Sequence, residues 1–102
     1  MDALQVIAEP RRREILRLVW DQELSAGSIA ARFDISFAAV SQHLGVLREA
    51  HLVRLRREGR HRYYRADHSA LGDLRPALEL MWGRQLDRLV HLAEEEERQT
   101  SD

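Results

Sequence analysis

FAAVSQHLGVLREA, residues 37–50, sets Val40, Leu44 and Leu47 at i, i+4 and i+7. That spacing lays one narrow apolar stripe along an α-helix. Ser36, immediately before it, is placed to cap the helix with its hydroxyl. Ser41 and Gln42 fall off the stripe and face outward. His43 adjoins the stripe and reads as a packed or hydrogen-bonded core-edge residue rather than a ligand. Gly45 is unusual in mid-helix, where it costs about 1 kcal/mol relative to alanine. It leaves that point of the helix without a side-chain contact, or lets another backbone approach closely. His51 follows the last helical residues, where the chain often turns left-handed. Glycine is favoured there, and histidine is among the tolerated alternatives.

Upstream, DIS (34–36) joins this helix to SAGSIAARF (25–33). Ser25 caps a short helix that buries Ile29, Ala30 and Phe33. Two short helices joined by a tight turn form a helix-turn-helix, here spanning 25–50. Earlier still, Pro10 is well placed to open PRRREILRLVWDQ, with Ile15, Leu16, Leu18 and Val19 at helical spacing. DALQVIAEP, at the start, reads as a short helix with Leu4, Ile7 and Ala8 on one side.

Downstream the period changes to two. In LVRLRRE, Val53 and Leu55 alternate with Arg54 and Arg56. Gly59 supplies a tight reversal, and HRYYRA returns. This predicts a two-stranded hairpin at 52–66 that must lean on the helices, because an isolated hairpin is marginal in water. Tyr63 and Tyr64 must point to opposite faces, one to the core. His61 and His68 flank the second strand and read as surface residues. After the hairpin, Leu71, Leu74, Leu78, Trp82, Leu86, Leu89 and Ala93 recur at steps of three and four, with Leu80, Met81 and Val90 widening the stripe. That predicts a long helix over about 70–98. Pro76 either kinks it or marks its start. The apolar face exceeds what one small core needs, so Leu78, Trp82, Leu86, Leu89, Val90 and Ala93 are assigned to a homodimer interface.

The chain has 102 residues, which predicts a single domain over 1–102, mainly α with a small two-stranded β-hairpin (α+β). There is no cysteine, so disulfides, thiolate catalysis and sulfur-based zinc sites are excluded. No apolar run is long enough to span a membrane, and the N-terminal residues do not form a secretory signal, so the expected compartment is the cytoplasm. The net charge of −1 is a cancellation. Residues 51–65 carry six arginines against Glu58, while 94–102 carry five acids against Arg98. All sixteen basic residues are arginine, which suits bidentate phosphate contacts and equally suits a G+C-rich genome.

A helix-turn-helix followed by a basic hairpin is the winged-helix arrangement. The second helix fits the major groove, and the hairpin sends arginines along the backbone or into the minor groove. The residues assigned to DNA are Ser36, Phe37 and Ala38 in the helix's first turn, Ser41 and Gln42 beyond it, and Arg57, Arg60 and Arg62 around the hairpin tip. Two readings stand for Phe37: packing on a thymine methyl, or filling a gap under the preceding helix. Arg54 and Arg56 add to the field, and one of Arg11, Arg12 and Arg13 is a candidate for a backbone contact. No glycine loop for phosphates and no nucleophile with a base is present, so an enzyme is not expected.

IAEPRRREILRLV, SAGSIAARFDIS, AVSQHLGVLREAHLV and RREGRHRYYRAD, in this order and spacing, resemble the ArsR/SmtB-type bacterial transcriptional repressors. The likeness covers roughly 4–68 in motif detail. It implies a homodimeric winged-helix repressor on a palindromic double-stranded DNA operator, pairing through its first and last helices, which adds Leu4 of the first helix (1–9) to the dimer interface. The cysteine pair used by arsenite- and cadmium-sensing members is missing from AGSIAARF. Of the zinc ligands used on the last helix, His91 and Glu94 match one pair, but Leu78 and Leu80 stand where the other would fall. The expected protein therefore takes no metal or other cofactor, and its inducer, if any, is not specified by the sequence. The alternatives are a zinc- or ligand-responsive derepressor of the same family, or a winged-helix module that binds protein.

Overall fold

The computed structural model describes residues 1–83 and 93–94. The chain divides into two compact units, Met1–Gly72 and Asp73–Asp102. The first unit runs α1 (Ala3–Ala8), α2 (Pro10–Leu18), β1 (Leu24–Ser25), α3 (Ala26–Ala30), α4 (Phe37–Glu49), β2 (Val53–Glu58), β3 (His61–Ala66) and a 3₁₀ turn, His68–Ala70. This is a winged helix-turn-helix.

The helix starts are those that side-chain chemistry dictates. Asp2 and Gln5 form a reciprocal capping box on α1, with N···O distances of 2.8 and 3.1 Å. Pro10 opens α2, and the Glu9 carboxylate accepts the Arg12 N–H at 3.0 Å. The hydroxyls of Ser25 and Ser36 accept from Ser28 N and Ala39 N, each at 3.1 Å. The end of α4 is a Schellman motif: Leu52 N–H donates to Leu47 O, and His51 N–H to Arg48 O. His51 takes the left-handed conformation, φ 61°, that glycine usually supplies.

Val6, Ile15, Leu16, Val19, Ile29, Val40, Leu47 and Leu52 are wholly buried, and Leu44 nearly so. Trp20, which the helical pattern did not single out, is the largest fully buried side chain. In α1 the buried residues are Val6 and Ile7, while Leu4 and Ala8 are exposed on the single chain. The cause lies in α2. Arg12 Nε donates to Val6 O at 2.8 Å, and Arg13 donates to the carbonyls of Ile7 and Ala8, which fixes the rotation of this six-residue helix. α3 is likewise shorter than expected, ending at Ala30 with Phe33 half-buried.

The sheet has three strands, not two, in the order β1-β3-β2 and antiparallel throughout. Leu24 pairs with Tyr64 and Ser25 with Tyr63, so a two-residue strand before α3 props the hairpin. Tyr64 is the core-facing tyrosine. Gly59, at φ 58°, makes the two-residue reversal with Arg60 between Glu58 and His61. His68, expected at the surface, is half-buried. Its Nε2 donates to Trp20 O at 2.7 Å, and its ring lies 4.3 Å from the Trp20 ring.

In the second unit, α5 spans Leu74–Met81. Pro76 sits in its first turn, where no internal N–H is needed, so it marks a start rather than a kink. Within the described residues the single helix expected over about 70–98 is interrupted twice, and most of its second half lies outside them. Gly72 turns left-handed before α5, at φ 53°, and Gly83 does so after it, at φ 73°, so neither position continues a helix. Within α5, Arg75 Nε donates to the buried Glu79 carboxylate at 2.9 Å. No helix among the described residues is long and apolar enough to cross a membrane.

Two predictions follow from the helices. A Cβ at Gly45 would meet nothing within 4 Å, so no neighbouring part of the described chain requires glycine there. Gly45→Ala should stabilise the fold by about 1 kcal/mol, seen as a higher urea midpoint at unchanged slope. The second concerns acid. Burial pushes the Glu9 carboxyl up, but the backbone N–H groups of Arg12 and Arg11 and the charges of His43 and Arg12 outweigh it, leaving it below the ordinary 4.5. Its folded value is depressed, so its contribution is present above 4.5 and is lost as pH falls through the lower folded value. Glu9→Gln should therefore lower stability at neutral pH and flatten its decline on acidification, measured by denaturation at stepped pH.

Candidate nucleic-acid interface

The sheet register sorts the wing's arginines onto two faces. Along paired strands alternate side chains point the same way. Val53, Leu55 and Arg57 therefore share a face with Ala66, Tyr64 and Arg62, while Arg54, Arg56 and Glu58 share the other with Arg65, Tyr63 and His61. Val53, Tyr64 and Ala66 are buried, so the first face is inward at the base of the wing. Towards the tip that same face leaves the core and presents Arg57 directly opposite Arg62. Like charges opposite one another on a sheet repel.

On the outer face every acid has a basic neighbour. Arg54 Nε reaches Asp67 at 3.1 Å. Arg56 reaches Glu23 at 2.7 Å and Glu58 at 2.6 Å, and its guanidinium lies 4.6 Å from the centre of the Tyr63 ring. The Arg56 hydrogen bond holds the Glu23 carboxyl below its ordinary value, with Arg65 adding to the effect. Asp67 is lowered likewise, first by the Ser69 hydroxyl and then by Arg54. Arg57, Arg60 and Arg62 are exposed, and among the described residues no carboxylate pairs with them.

A groove runs between the wing and the helix-turn-helix. Arg60, His61, Arg62 and Tyr64 line one side, Phe37 and Ser41 of α4 another, and Ser25, Ala26 and Gly27 the rest. The structure thus brings together Phe37, Ser41, Arg60 and Arg62 of the residues assigned to DNA from sequence. Phe37 is 57% exposed on this groove. Ser36 caps α4 beside it, Ala38 and Gln42 are exposed on α4 without lining the groove, and Arg57 faces Arg62 across the wing. Ser25, Gly27 and His61 were not assigned to the site. Ser25 and Gly27 carry no charge or periodicity that would mark them. His61 was marked only by its arginine neighbours.

Other assignments separate from this surface. His43 lies 3.8 Å from the Glu9 carboxylate at the α1–α2 junction. Arg12 and Arg13 are committed to α1 carbonyls, which leaves Arg11 as the exposed member of that triplet. Of the residues assigned to the dimer interface, Leu4 is 63% exposed and Ala93 is exposed, Trp82 is half-buried, and Leu86, Leu89 and Val90 lie outside the described residues. Leu78 is already covered within one chain, while Leu80 and Met81 are the exposed large apolar residues of α5. Glu94 is exposed, and His91 lies outside the described residues. No group of three potential metal ligands occurs among the described residues.

A cationic wing beside an exposed second helix of a helix-turn-helix defines a DNA-binding transcriptional regulator. Residues 9–54 match the family profile described as bacterial regulatory protein, arsR family. The HTH-type transcriptional regulator Rv2034 of Mycobacterium tuberculosis is 37% identical over 94 residues, covering 92% of this chain and 88% of that one. The transcriptional repressor SdpR of Bacillus subtilis is 35% identical over 72 residues, covering 71% and 80%. A crystal structure described as "Possible transcriptional regulator for arsenical resistance" superposes with a TM-score of 0.70 at 46% identity, covering 89% of this chain and 95% of that one. The chain belongs to the ArsR family of bacterial transcriptional regulators.

Replacing Arg57, Arg60 and Arg62 together by alanine should weaken binding to every DNA sequence and flatten its salt dependence. Gln42→Ala should instead change which sequence is preferred, by about 1–3 kcal/mol at one base pair. Competition titrations against a panel of duplexes separate the two effects.

Proposed function

We propose that the protein is a homodimeric repressor that occupies a palindromic operator in the cytoplasm and blocks transcription by occlusion, without a metal. The observation that carries this reading is the cluster of three arginines, Arg57, Arg60 and Arg62, left without carboxylate partners among the described residues, beside the exposed start of α4. Each phosphate they neutralise releases counterions. Ser41 and Gln42 meet base edges from α4, with Ser36, Phe37 and Ala38 at its start seating the helix end against the groove. Gln42 suits adenine. Phe37, exposed on the groove, suits a thymine methyl better than a gap beneath α3.

The homodimer is supported by apolar side chains left uncovered on one chain: Leu4, Leu80 and Met81 are 63%, 62% and 56% exposed. Two copies related by a two-fold axis address two half-sites about one helical turn, or a small number of turns, apart.

The test is a titration of in vitro selected genomic fragments across salt concentration, with and without zinc. Six wing arginines in a dimer predict a slope of log affinity on log salt near about −5. A flat dependence overturns the phosphate-contact reading. Operator release on adding zinc overturns metal independence and favours a zinc-responsive derepressor.

A further inference from the structure

We propose that Glu23 sets DNA specificity by holding Arg56 on the outer face of the wing, so that this face offers DNA no net charge. The inference rests on the DNA-binding reading above. Glu23 immediately precedes β1, and its neighbour Leu24 pairs with Tyr64. The alternation that turns Leu24 towards the core face turns Glu23 to the opposite side, the side of Arg56 and Arg65. There its carboxylate takes Arg56 Nε at 3.1 Å and Nη2 at 2.7 Å. Nη1 of the same guanidinium donates to Glu58 at 2.6 Å, and its plane lies over Tyr63. A guanidinium engaged on both edges and one face has little left to give a phosphate.

The charges of the two faces then differ in kind. On the outer face Arg54, Arg56 and Arg65 are matched by Asp67, Glu23 and Glu58. On the other side Arg57, Arg60 and Arg62 have no matching acid among the described residues. Phosphate attraction alone is indifferent to sequence and supplies non-specific binding. A wing cationic on both faces would grip DNA in many orientations. A wing cationic only beside α4 grips it where Ser41 and Gln42 also meet the bases. Glu23 comes from outside the wing, 33 residues before Arg56, so it also ties the hairpin's charge pattern to the helix-turn-helix.

The experiment compares wild type, Glu23→Gln and Glu23→Gln/Arg56→Gln on the selected fragment and on a scrambled duplex of equal length. For Glu23→Gln, affinity for the scrambled duplex should rise severalfold. Its salt slope should steepen by about 0.9 per protomer, and the ratio of specific to non-specific affinity should fall. The double variant restores the neutral face, so slope and ratio should return towards wild type. Exposed ion pairs contribute little to stability, so all three proteins should melt similarly. Unchanged scrambled-duplex affinity and slope in Glu23→Gln overturn the inference. So does a joint loss of both affinities that the second substitution does not rescue, which is the signature of a purely structural residue. A flat salt dependence in wild type overturns the underlying DNA-binding reading, and the inference with it.

Discussion

A hairpin of two six-residue strands does not hold its orientation in water by itself, and the groove between the wing and α4 exists only if that orientation is held. The fastening is the short segment from Val19 to Ser25. Val19 O accepts the N–H of Ala66 at 2.9 Å, and Trp20 O accepts from His68 at 2.7 Å. Glu23 takes Arg56, and Leu24 and Ser25 pair with β3. One residue after Ala66, Asp67 N–H donates to Leu52 O at 2.8 Å, just beyond the end of α4. The wing is thus tied to the end of α2 and to the end of α4. The two elements that flank the groove keep a fixed spacing because both are bonded to the same hydrogen-bonded frame.

That frame explains why burial concentrates where it does. Trp20 is 1% exposed, and its backbone carbonyl is satisfied by a ring that also covers its indole. A buried carbonyl without a partner would cost about 1–3 kcal/mol, so His68 acts as much by satisfying that oxygen as by its contact area. A carbonyl can only accept, so Nε2 must carry a proton, which fixes the donor on this ring.

Much of this was readable because it is local. Helix caps at Ser25 and Ser36, the proline start of α2 and the reversal at Gly59 depend on residues within about four positions of one another. The stripe of Val40, Leu44 and Leu47 is equally local, and all three are buried as the spacing implies. What escaped is non-local or too short to have a period. β1 is two residues long and shows no alternation. The Glu23–Arg56 pair spans 33 positions, and the Trp20–His68 contact 48. Which face α1 buries is equally non-local, because six residues give under two turns of pattern, and arginines from the next helix decide its rotation. The final stripe was read through Gly83 because leucines keep their spacing across a break that only backbone conformation shows. In the site, the charges and the helix were legible, but the sorting of arginines by face needed the register.

The register also bears on how affinity and selectivity divide between α4 and the wing. From Phe37 to Leu47 the α4 sequence has no arginine, and His43 there is turned towards Glu9 rather than towards the groove. Arg48 stands at the far end of the helix. On the proposed reading, α4 therefore adds little to the sequence-independent term and mainly discriminates through Ser41 and Gln42. The wing supplies the attraction from one side. Gly45 fits this division: with open space around it, it withholds a cation from the helix face without serving the packing of the described chain. A reader with weak grip and a grip confined to one orientation together make affinity conditional on the bases being right, because neither binds well when the other is displaced.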